Sequence, residues 1–371
     1  MLYYKTICIC GGGNLGHALA AIISQKGCNV NVLTARPNQW HKRIEITDCN
    51  QKRTTGFLKK ISDNPKEVII EAEIILLCVP GYLIEPTLLK IKPFLQKKQV
   101  IGSVVCSSGF FWIANHILGK ETPLFGFQRV PFICRVKDYG QSVNIKGYKS
   151  LLKIGGLHNK ELLQIAQFFT FVLSTKTTCL SHFLESTLTN SNSLLHPARI
   201  YTMLSSFSSG QFDQEFLFYE EWDNESSEIL IECDQEFQKI LSQLPVNKEE
   251  IPSILFYYES CDATSLTNKI RSIKAFQGLK MHMIKKDIGY TVDYFSRYFT
   301  EDIPYGLLII KSFGILLSIS TPKIDELIYW FQRMLNKEYL KDGKLVGINI
   351  KETGIIQNFG INKIEDIFKE A

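Results

Sequence analysis

The chain has 371 residues, of which 45% are hydrophobic and 12% aromatic, so it can form two domains with full-sized cores. Its 42 lysines and arginines exceed its 37 acidic residues by only five scattered charges, which does not indicate a nucleic-acid or polybasic membrane surface. The most apolar stretch, residues 305–319, is interrupted by Lys311 and does not predict a membrane span. The N-terminus lacks the pattern of a secretory signal, so we expect a cytoplasmic protein.

The cysteines and histidines are placed singly along the chain. The ten cysteines include no Cys-x-x-Cys pair, and the seven histidines include no His-x-x-x-His or His-x-His pair. This pattern is typical of reduced thiols in a cytosolic protein, and we expect no metal site.

The first half of the sequence alternates between strand and helix patterns. Residues 4–10, 17–26 and 29–34 predict a strand, a helix and a second strand. The apolar runs at 73–79 and 99–106 are typical of parallel strands buried on both faces. This alternation predicts an α/β fold of the Rossmann type, with a doubly wound parallel sheet.

The second half is dominated by long amphipathic stretches. Helices are predicted over residues 161–173, 182–206, 227–244, 265–276, 305–316 and 324–334. We place the boundary near Thr178, with a dinucleotide-binding domain over residues 1–178 and an all-α C-terminal domain over residues 179–371.

A glycine-rich loop directly follows the first predicted strand. Gly11, Gly13 and Gly16 have the spacing Gly-x-Gly-x-x-Gly, which allows a tight turn, close approach of a pyrophosphate, and contact between helix and strand. Together with Asn14 and Leu15 they open a helix whose first N–H groups can bind phosphate without a basic side chain. In this context of strand, helix and strand, the loop predicts dinucleotide binding.

The second strand is followed by a basic residue where an acidic one is typical. An Asp or Glu that would bind the ribose 2′-hydroxyl is missing, and Arg36 stands there with Lys42 and Arg43 nearby. This favours a 2′-phosphate, and hence NADP over NAD. In the alternative, Arg36 stacks on the adenine or is solvated. Pro80, after the strand at 73–79, either lines the nicotinamide side of the cofactor or simply ends the strand.

Two polar segments of the second half contain candidate acid–base residues. His196 precedes Pro197, which removes a helical hydrogen bond, so we expect a kink or restart there, with Asn192 one turn earlier on the same face. Asp302 either caps the following helix or pairs with His196 as a general acid/base. Arg297 either binds a substrate carboxylate or forms a surface ion pair.

Four segments together resemble the octopine/nopaline, or opine, dehydrogenase family along nearly the whole chain. They are residues 11–20 (Gly-Gly-Gly-Asn-Leu-Gly-His-Ala-Leu-Ala), 129–135 with 139–140, 192–197, and 297–304. The resemblance implies a Rossmann domain followed by a helical domain like the C-terminal domain of 6-phosphogluconate dehydrogenase, with the active site in the cleft between them. The implied reaction is reductive condensation of an α-keto acid with the amino group of an amino acid, at the expense of NAD(P)H.

The same resemblance implies a role for each candidate residue. His196 would be the acid/base catalyst and Asp302 its partner, while Arg297 and Cys134 would line the keto-acid pocket and Asn192 would contact substrate. The aromatic and acidic run at residues 216–223 either covers the amino-acid donor or, as we favour, packs in the core.

Two other functions remain open. A 2- or 3-hydroxy-acid dehydrogenase on the same plan would oxidise NAD(P)H with a keto acid alone, whereas an opine-type enzyme needs both the keto acid and an amine. A non-catalytic NAD(P)-binding sensor or partner protein has no evident need for His196, Arg297 and Asp302 together. The expected partners are therefore small molecules, without nucleic acid or membrane, and the apolar helices favour a homodimer.

Overall fold

The computed structural model describes residues 4–205 and 211–368. These residues form two compact units, one reaching to Thr187 and resuming at Glu365, and the other spanning Leu188–Ile364. Each unit has its own core.

The first unit contains twelve described strands and six helices. The strands are β1 (Thr6–Cys10), β2 (Asn29–Leu33), β3 (Arg43–Thr47), β4 (Arg53–Phe57), β5 (Lys60–Ser62), β6 (Ile74–Leu77), β7 (Val100–Val104), β8 (Leu124–Phe127), β9 (Phe132–Asp138), β10 (Ser142–Tyr148), β11 (Leu151–Leu157) and β12 (Lys176–Cys179). The helices are α1 (Asn14–Gln25), α2 (Pro65–Ile69), α3 (Ile84–Ile91), α4 (Phe110–Leu118), α5 (Leu162–Leu173) and α6 (Phe183–Thr187).

Eight of these strands form the main sheet, in the order β12-β11-β8-β7-β6-β1-β2-β5. Every neighbouring pair is parallel except β11 and β8. Strand β1 has β2 on one side and β6 on the other, so the connections after β1 and β6 leave a crevice at the carboxyl ends of these strands. The predicted doubly wound α/β fold is confirmed.

A second sheet, in the order β4-β3-β10-β9, covers the other face of α1. The Phe57 N–H donates to the Ser24 hydroxyl at 3.0 Å, and a Cβ added to Gly56 would lie 2.5 Å from the Cα of Ala21. Because α1 packs between two sheets, its alanines are buried. This sheet was not predicted from the sequence, since its strands are short, are separated by turns and pair in part across about a hundred residues.

The first unit ends at Thr187, nine residues after the predicted Thr178, because α6 packs on the main sheet. The Cys106 thiol donates to the carbonyl oxygen of Ser186 at 3.1 Å. A Cβ on Gly155 would lie 3.0 Å from the Cα of Phe183.

The second unit is mainly helical, which confirms that part of the predicted fold class. Its helices are α7 (Asn192–Ser205), α8 (Asn224–Leu241), α9 (Ile254–Tyr257), α10 (Ala263–Ser272), α11 (Arg297–Thr300), α12 (Leu308–Leu316) and α13 (Pro322–Met334). Helix α14 (Ile364–Phe368) spans the boundary, with only its first residue in this unit. It also holds a small sheet in the order β13-β15-β14, formed by β13 (Gln211–Phe212), β14 (Met283–Lys285) and β15 (Tyr290–Val292), which the sequence did not predict.

Two predicted helices differ in detail. The stretch 182–206 forms α6 and α7 with a loop between them, and its last residue lies outside the described residues. The stretch 305–316 begins with a π-helical turn over Ile303–Leu307 before α12. Across residues 4–205 and 211–368, no helix has both the length and the hydropathy to cross a membrane.

Candidate active site

The predicted glycine loop joins β1 to α1. Gly11 has a φ of 128°, a conformation that favours glycine, and a Cβ there would lie 2.5 Å from the carbonyl oxygen of Cys78. A Cβ on Gly16 would collide with the carbonyl oxygen of Gly11. At Gly13, by contrast, a Cβ would meet nothing within 4 Å, so this backbone is open to an approaching group.

The start of α1 has the properties of an anion site. No described side chain caps it, and its first turn contains no acidic residue, so the helix dipole and the first N–H groups favour a negative group. The Asn14 carboxamide oxygen accepts a hydrogen bond from the Val136 N–H at 2.8 Å, which fixes β9 beside this end of the helix. Leu15 packs against the hydrophobic core. These features fit the pyrophosphate of a dinucleotide.

His17, which was not singled out from the sequence, holds the glycine loop. Its Nδ1 lies 2.9 Å from the carbonyl oxygen of Gly13, and its Nε2 accepts a hydrogen bond from the Gly140 N–H at 2.8 Å. These partners require a neutral ring with the proton on Nδ1. The ring also stacks on Trp40 at 3.9 Å. Burial lowers the pKa of His17, which favours the same neutral form.

The end of β2 presents a cation beside an aromatic ring. Thr34 is buried, whereas Arg36 is exposed and its guanidinium lies 4.3 Å from the centre of the Tyr139 ring. Burial tends to raise the pKa of Tyr139, but hydrogen bonding to Thr34 and the charge of Arg36 lower it below its usual value. Arg43 pairs with Glu45 at 3.0 Å, so its charge is already matched.

In the second unit the structure brings His196 and Asp302 together. Nδ1 of His196 lies 2.8 Å from Oδ2 of Asp302, although 106 positions separate them, and both residues are only 7% exposed. Asp302 makes no side-chain cap on the turn that follows, so the capping alternative is not what the structure shows. The carboxylate accepts a hydrogen bond from Nδ1–H, so the lone pair of the neutral imidazole is on Nε2.

Of the kink or restart predicted at His196, the structure shows no restart. The helix that carries His196 begins at Asn192 and continues through Pro197 to Ser205. Because Pro197 lies near the start of the helix, its missing N–H leaves only the carbonyl of Ser193 without its usual partner. The Leu195 N–H donates to the carbonyl oxygen of Ser191 at 2.8 Å and helps to start the helix.

Aromatic side chains surround the imidazole of His196. Nε2 lies 3.0 Å from the hydroxyl oxygen of Tyr219. The rings of Phe218 and Tyr298 meet the imidazole edge-on at 5.5 and 4.8 Å. These two rings also stack on each other at 4.9 Å. The dyad therefore lies in apolar surroundings, where an uncompensated charge is costly and a charge partner is effective.

The chain is similar to known proteins in both of its halves. A family model described as NAD/NADP octopine/nopaline dehydrogenase, alpha-helical domain, matches residues 179–335, and one described as NAD-dependent glycerol-3-phosphate dehydrogenase N-terminus matches residues 6–118. Octopine dehydrogenase of Pecten maximus is 29% identical, with 97% of this chain and 98% of that protein covered. Tauropine dehydrogenase of Arabella iricolor is 27% identical with the same coverage. The chain is thus similar to opine dehydrogenases along nearly its whole length.

Solved structures support the same assignment. Octopine dehydrogenase with NADH and L-arginine superimposes with a TM-score of 0.87 at 26% identity, covering 98% of this chain and 97% of that one. A structure of octopine dehydrogenase with NADH and pyruvate gives a TM-score of 0.85. The opine dehydrogenase fold is thus confirmed, as is the predicted kind of enzyme, an NAD(P)-dependent oxidoreductase acting on CH–NH bonds.

The other predicted site residues differ in how exposed they are. Nε of Arg297 lies 2.7 Å from Oε2 of Glu301, and the arginine side chain is 70% exposed. Asn192 is exposed at the first turn of α7, one turn before His196. Cys134 packs in the hydrophobic core of the first unit, and burial raises its pKa to about 11. Its place in the keto-acid pocket stays a prediction.

Pro80 ends the segment after β6 and begins a turn. Its carbonyl oxygen accepts a hydrogen bond from the Leu83 N–H at 2.9 Å, so it starts the 3-10 turn Gly81–Leu83. This is the strand-ending arrangement expected in one of the two interpretations of Pro80.

Proposed function

We propose that the protein condenses an α-keto acid with the amino group of an amino acid and reduces the product with NAD(P)H to a secondary amine dicarboxylate. The observation that carries this proposal is the 2.8 Å contact between His196 and Asp302 in a buried, aromatic environment. A reaction that removes a proton from an amine and delivers one to a departing hydroxyl needs such a group in both protonation states. The similarity to octopine/nopaline dehydrogenases and the glycine loop support the binding of NAD(P)H.

His196 is the general acid/base of the proposed reaction. It takes a proton from the substrate ammonium, which makes the amine nucleophilic, and returns a proton when the hydroxyl of the condensed intermediate leaves as water. Asp302 holds the ring and stabilises the imidazolium that forms between these two events. A positioned acid/base of this kind contributes about 10²- to 10⁴-fold to the rate. The reduced nicotinamide, when bound, supplies the hydride that reduces the resulting carbon–nitrogen double bond.

Arg297 is proposed to bind the keto-acid carboxylate. It lies five positions before Asp302, and its guanidinium is exposed and already pairs with a carboxylate. A substrate carboxylate would therefore exchange with Glu301 for this guanidinium. Asn192, at the start of α7, is proposed to donate a hydrogen bond to the same substrate.

The cofactor preference is proposed to be NADPH over NADH. The end of β2 carries no acidic side chain that would bind a 2′-hydroxyl, and the stack on Tyr139 orients the exposed guanidinium of Arg36. Such a guanidinium is suited to a 2′-phosphate. The octopine dehydrogenase structures that resemble this chain contain NADH, so the preference is a specific point on which this chain would differ.

The proposal is tested by the oxidation of NADPH and NADH in a panel of keto acids, with and without a mixture of amino acids. Oxidation that requires both the keto acid and the amino acid is the expected result. Oxidation with a keto acid alone would instead identify a hydroxy-acid dehydrogenase, and binding without oxidation for any pair would contradict the proposed reaction.

A further inference from the structure

We propose that Tyr219 relays the proton between the substrate and Nε2 of His196, an inference that rests on the proposed condensation. Both ring nitrogens of His196 already have partners within the second unit. Nδ1 contacts Asp302 at 2.8 Å and Nε2 contacts the Tyr219 hydroxyl at 3.0 Å. A proton from the substrate must therefore either displace the Tyr219 hydroxyl or pass through it.

Neighbouring aromatic rings stack on the ring of Tyr219 and hold it in place, which argues against displacement of its hydroxyl from Nε2. It stacks on Phe276 with ring centres 4.1 Å apart and planes 17° apart, and it is nearly parallel to Trp222 at 6.4 Å. Tyr219 is only 7% exposed. Moving the hydroxyl away from Nε2 would break these stacks, so a transfer through the hydroxyl requires less rearrangement.

The backbone on both sides of Tyr219 is held by one buried arginine. Arg199, one turn after His196 on α7, donates from Nε to the carbonyl oxygen of Phe218 at 3.1 Å. It also donates from Nη2 to the carbonyl oxygen of Glu221 and from Nη1 to the carboxylate of Asp223, the latter at 2.6 Å. The same helix thus carries His196 and fixes the segment that carries its tyrosine.

In the proposed transfer, the hydroxyl oxygen of Tyr219 gains one proton as it loses another and carries no net charge. When the substrate ammonium loses a proton, that proton moves to Oη of Tyr219 as the phenol proton moves to Nε2, giving a neutral amine and an imidazolium. The amine nitrogen then bonds to the keto carbon as the carbonyl π bond opens, and one of its two protons passes to the former carbonyl oxygen, which gives the condensed intermediate. When the hydroxyl of this intermediate leaves, the Nε2 proton moves to Oη and the phenol proton to that hydroxyl. The carbon–oxygen bond then breaks to give water, and the nitrogen lone pair forms the double bond of an iminium.

The environment of Tyr219 is consistent with paired transfers. Burial, and then the neighbouring acidic groups of Tyr298, Tyr258 and Asp302, raise the pKa of Tyr219 well above its usual range. A tyrosinate is therefore disfavoured, and the oxygen must gain one proton as it loses the other.

Tyr219→Phe tests the relay because it keeps the ring and its stacks and removes only the hydroxyl. We expect kcat to fall by about 100-fold or more, while the Kd for NADPH stays unchanged. The dependence of kcat on the deuterium fraction of the solvent should be curved in the natural protein, since two protons move together, and linear in the variant. The matched control is Tyr201→Phe on α7, which removes a surface hydroxyl bonded to Glu326 of α13 and should leave kcat unchanged.

Retained or increased turnover in Tyr219→Phe would overturn the relay, because the hydroxyl would then be only a competitor for Nε2. Nitrogen NMR of the His196 ring gives a second measurement, which needs neither turnover nor a folded variant. We expect the natural protein to show Nε2 as a hydrogen-bonded acceptor, and a proton resting on Nε2 of the neutral ring would overturn the inference. If the natural protein turns over no substrate pair, the proposed reaction fails by itself, and the NMR result still decides the contact with Tyr219.

Discussion

The substitution Asp302→Asn tests the dyad directly, because it keeps the size of the side chain and removes its charge. At 2.8 Å, the attraction between a carboxylate and an imidazolium is about 6 kcal/mol for an effective dielectric constant of about 20. Desolvation of two groups that are each only 7% exposed offsets part of this attraction. The net contribution of a hydrogen bond to a charged group is about 1.5–3 kcal/mol. Its loss in Asp302→Asn corresponds to a decrease of about 10- to 150-fold in kcat.

A second effect acts in the same direction. The asparagine can present its NH₂ group to Nδ1, which would move the ring proton to Nε2 and remove the basic lone pair from the reacting side. We therefore expect the upper end of the range. The assay is the initial rate of NADPH oxidation with saturating keto acid and amino acid, together with the Kd for NADPH from fluorescence quenching.

The control is Asp262→Asn, in the same unit. Asp262 caps α10 and accepts a hydrogen bond from the Ser265 N–H at 2.7 Å. Asparagine caps helices about as well as aspartate, so stability and kcat should both be retained. A kcat for Asp302→Asn within about threefold of the natural protein would refute the reasoning, since the carboxylate would then contribute less than about 0.7 kcal/mol.

Three further predictions concern the groups around the two substrates. Arg36→Ala should lower kcat/KM for NADPH by about tenfold or more and change kcat/KM for NADH little. An equal loss of kcat/KM for both cofactors would contradict the 2′-phosphate argument. Arg297→Ala should raise the KM of the keto acid about tenfold at similar kcat, and an unchanged KM would leave Arg297 as a surface ion pair. Because burial lowers the folded-state pKa of His17 below its ordinary 6.5, the unfolded chain binds more protons there, so the free energy of unfolding should fall as the pH drops below 6.5. His17→Gln should reduce this slope in denaturant titrations, and an identical slope would assign it to other groups.

Much of the first unit could be predicted because its signals are local. The apolar runs at β1, β2, β6 and β7 and the glycine loop are contiguous in sequence, and a parallel sheet buried on both faces produces such runs directly. The second sheet has no such signal. Its strand β10 pairs in parallel with β3, about a hundred residues earlier, and such a pairing depends on the chain path.

The candidate site was predictable to the extent that residue type limits chemistry. A histidine before proline and an aspartate before a helix were recognisable as candidates, but only the fold shows that they meet. Tyr219 was missed because the run at 216–223 is aromatic enough for a core segment, and the side chains of Phe218, Tyr219 and Trp222 are buried. The hydroxyl at Nε2 differs from its neighbours only through its contact with His196.

His17 contacts both the glycine loop and the second sheet, so a ligand that binds the loop should also stabilise that sheet. One imidazole contacts the carbonyl of Gly13 on one side and the N–H of Gly140, in the turn between β9 and β10, on the other. A ligand that orders the loop therefore also opposes opening of that hairpin. At a ligand concentration of 100 Kd the added protection can reach about 2.7 kcal/mol. Amide hydrogens of β9 and β10 should accordingly exchange up to about 100-fold more slowly with cofactor present, although no atom of these strands need touch it.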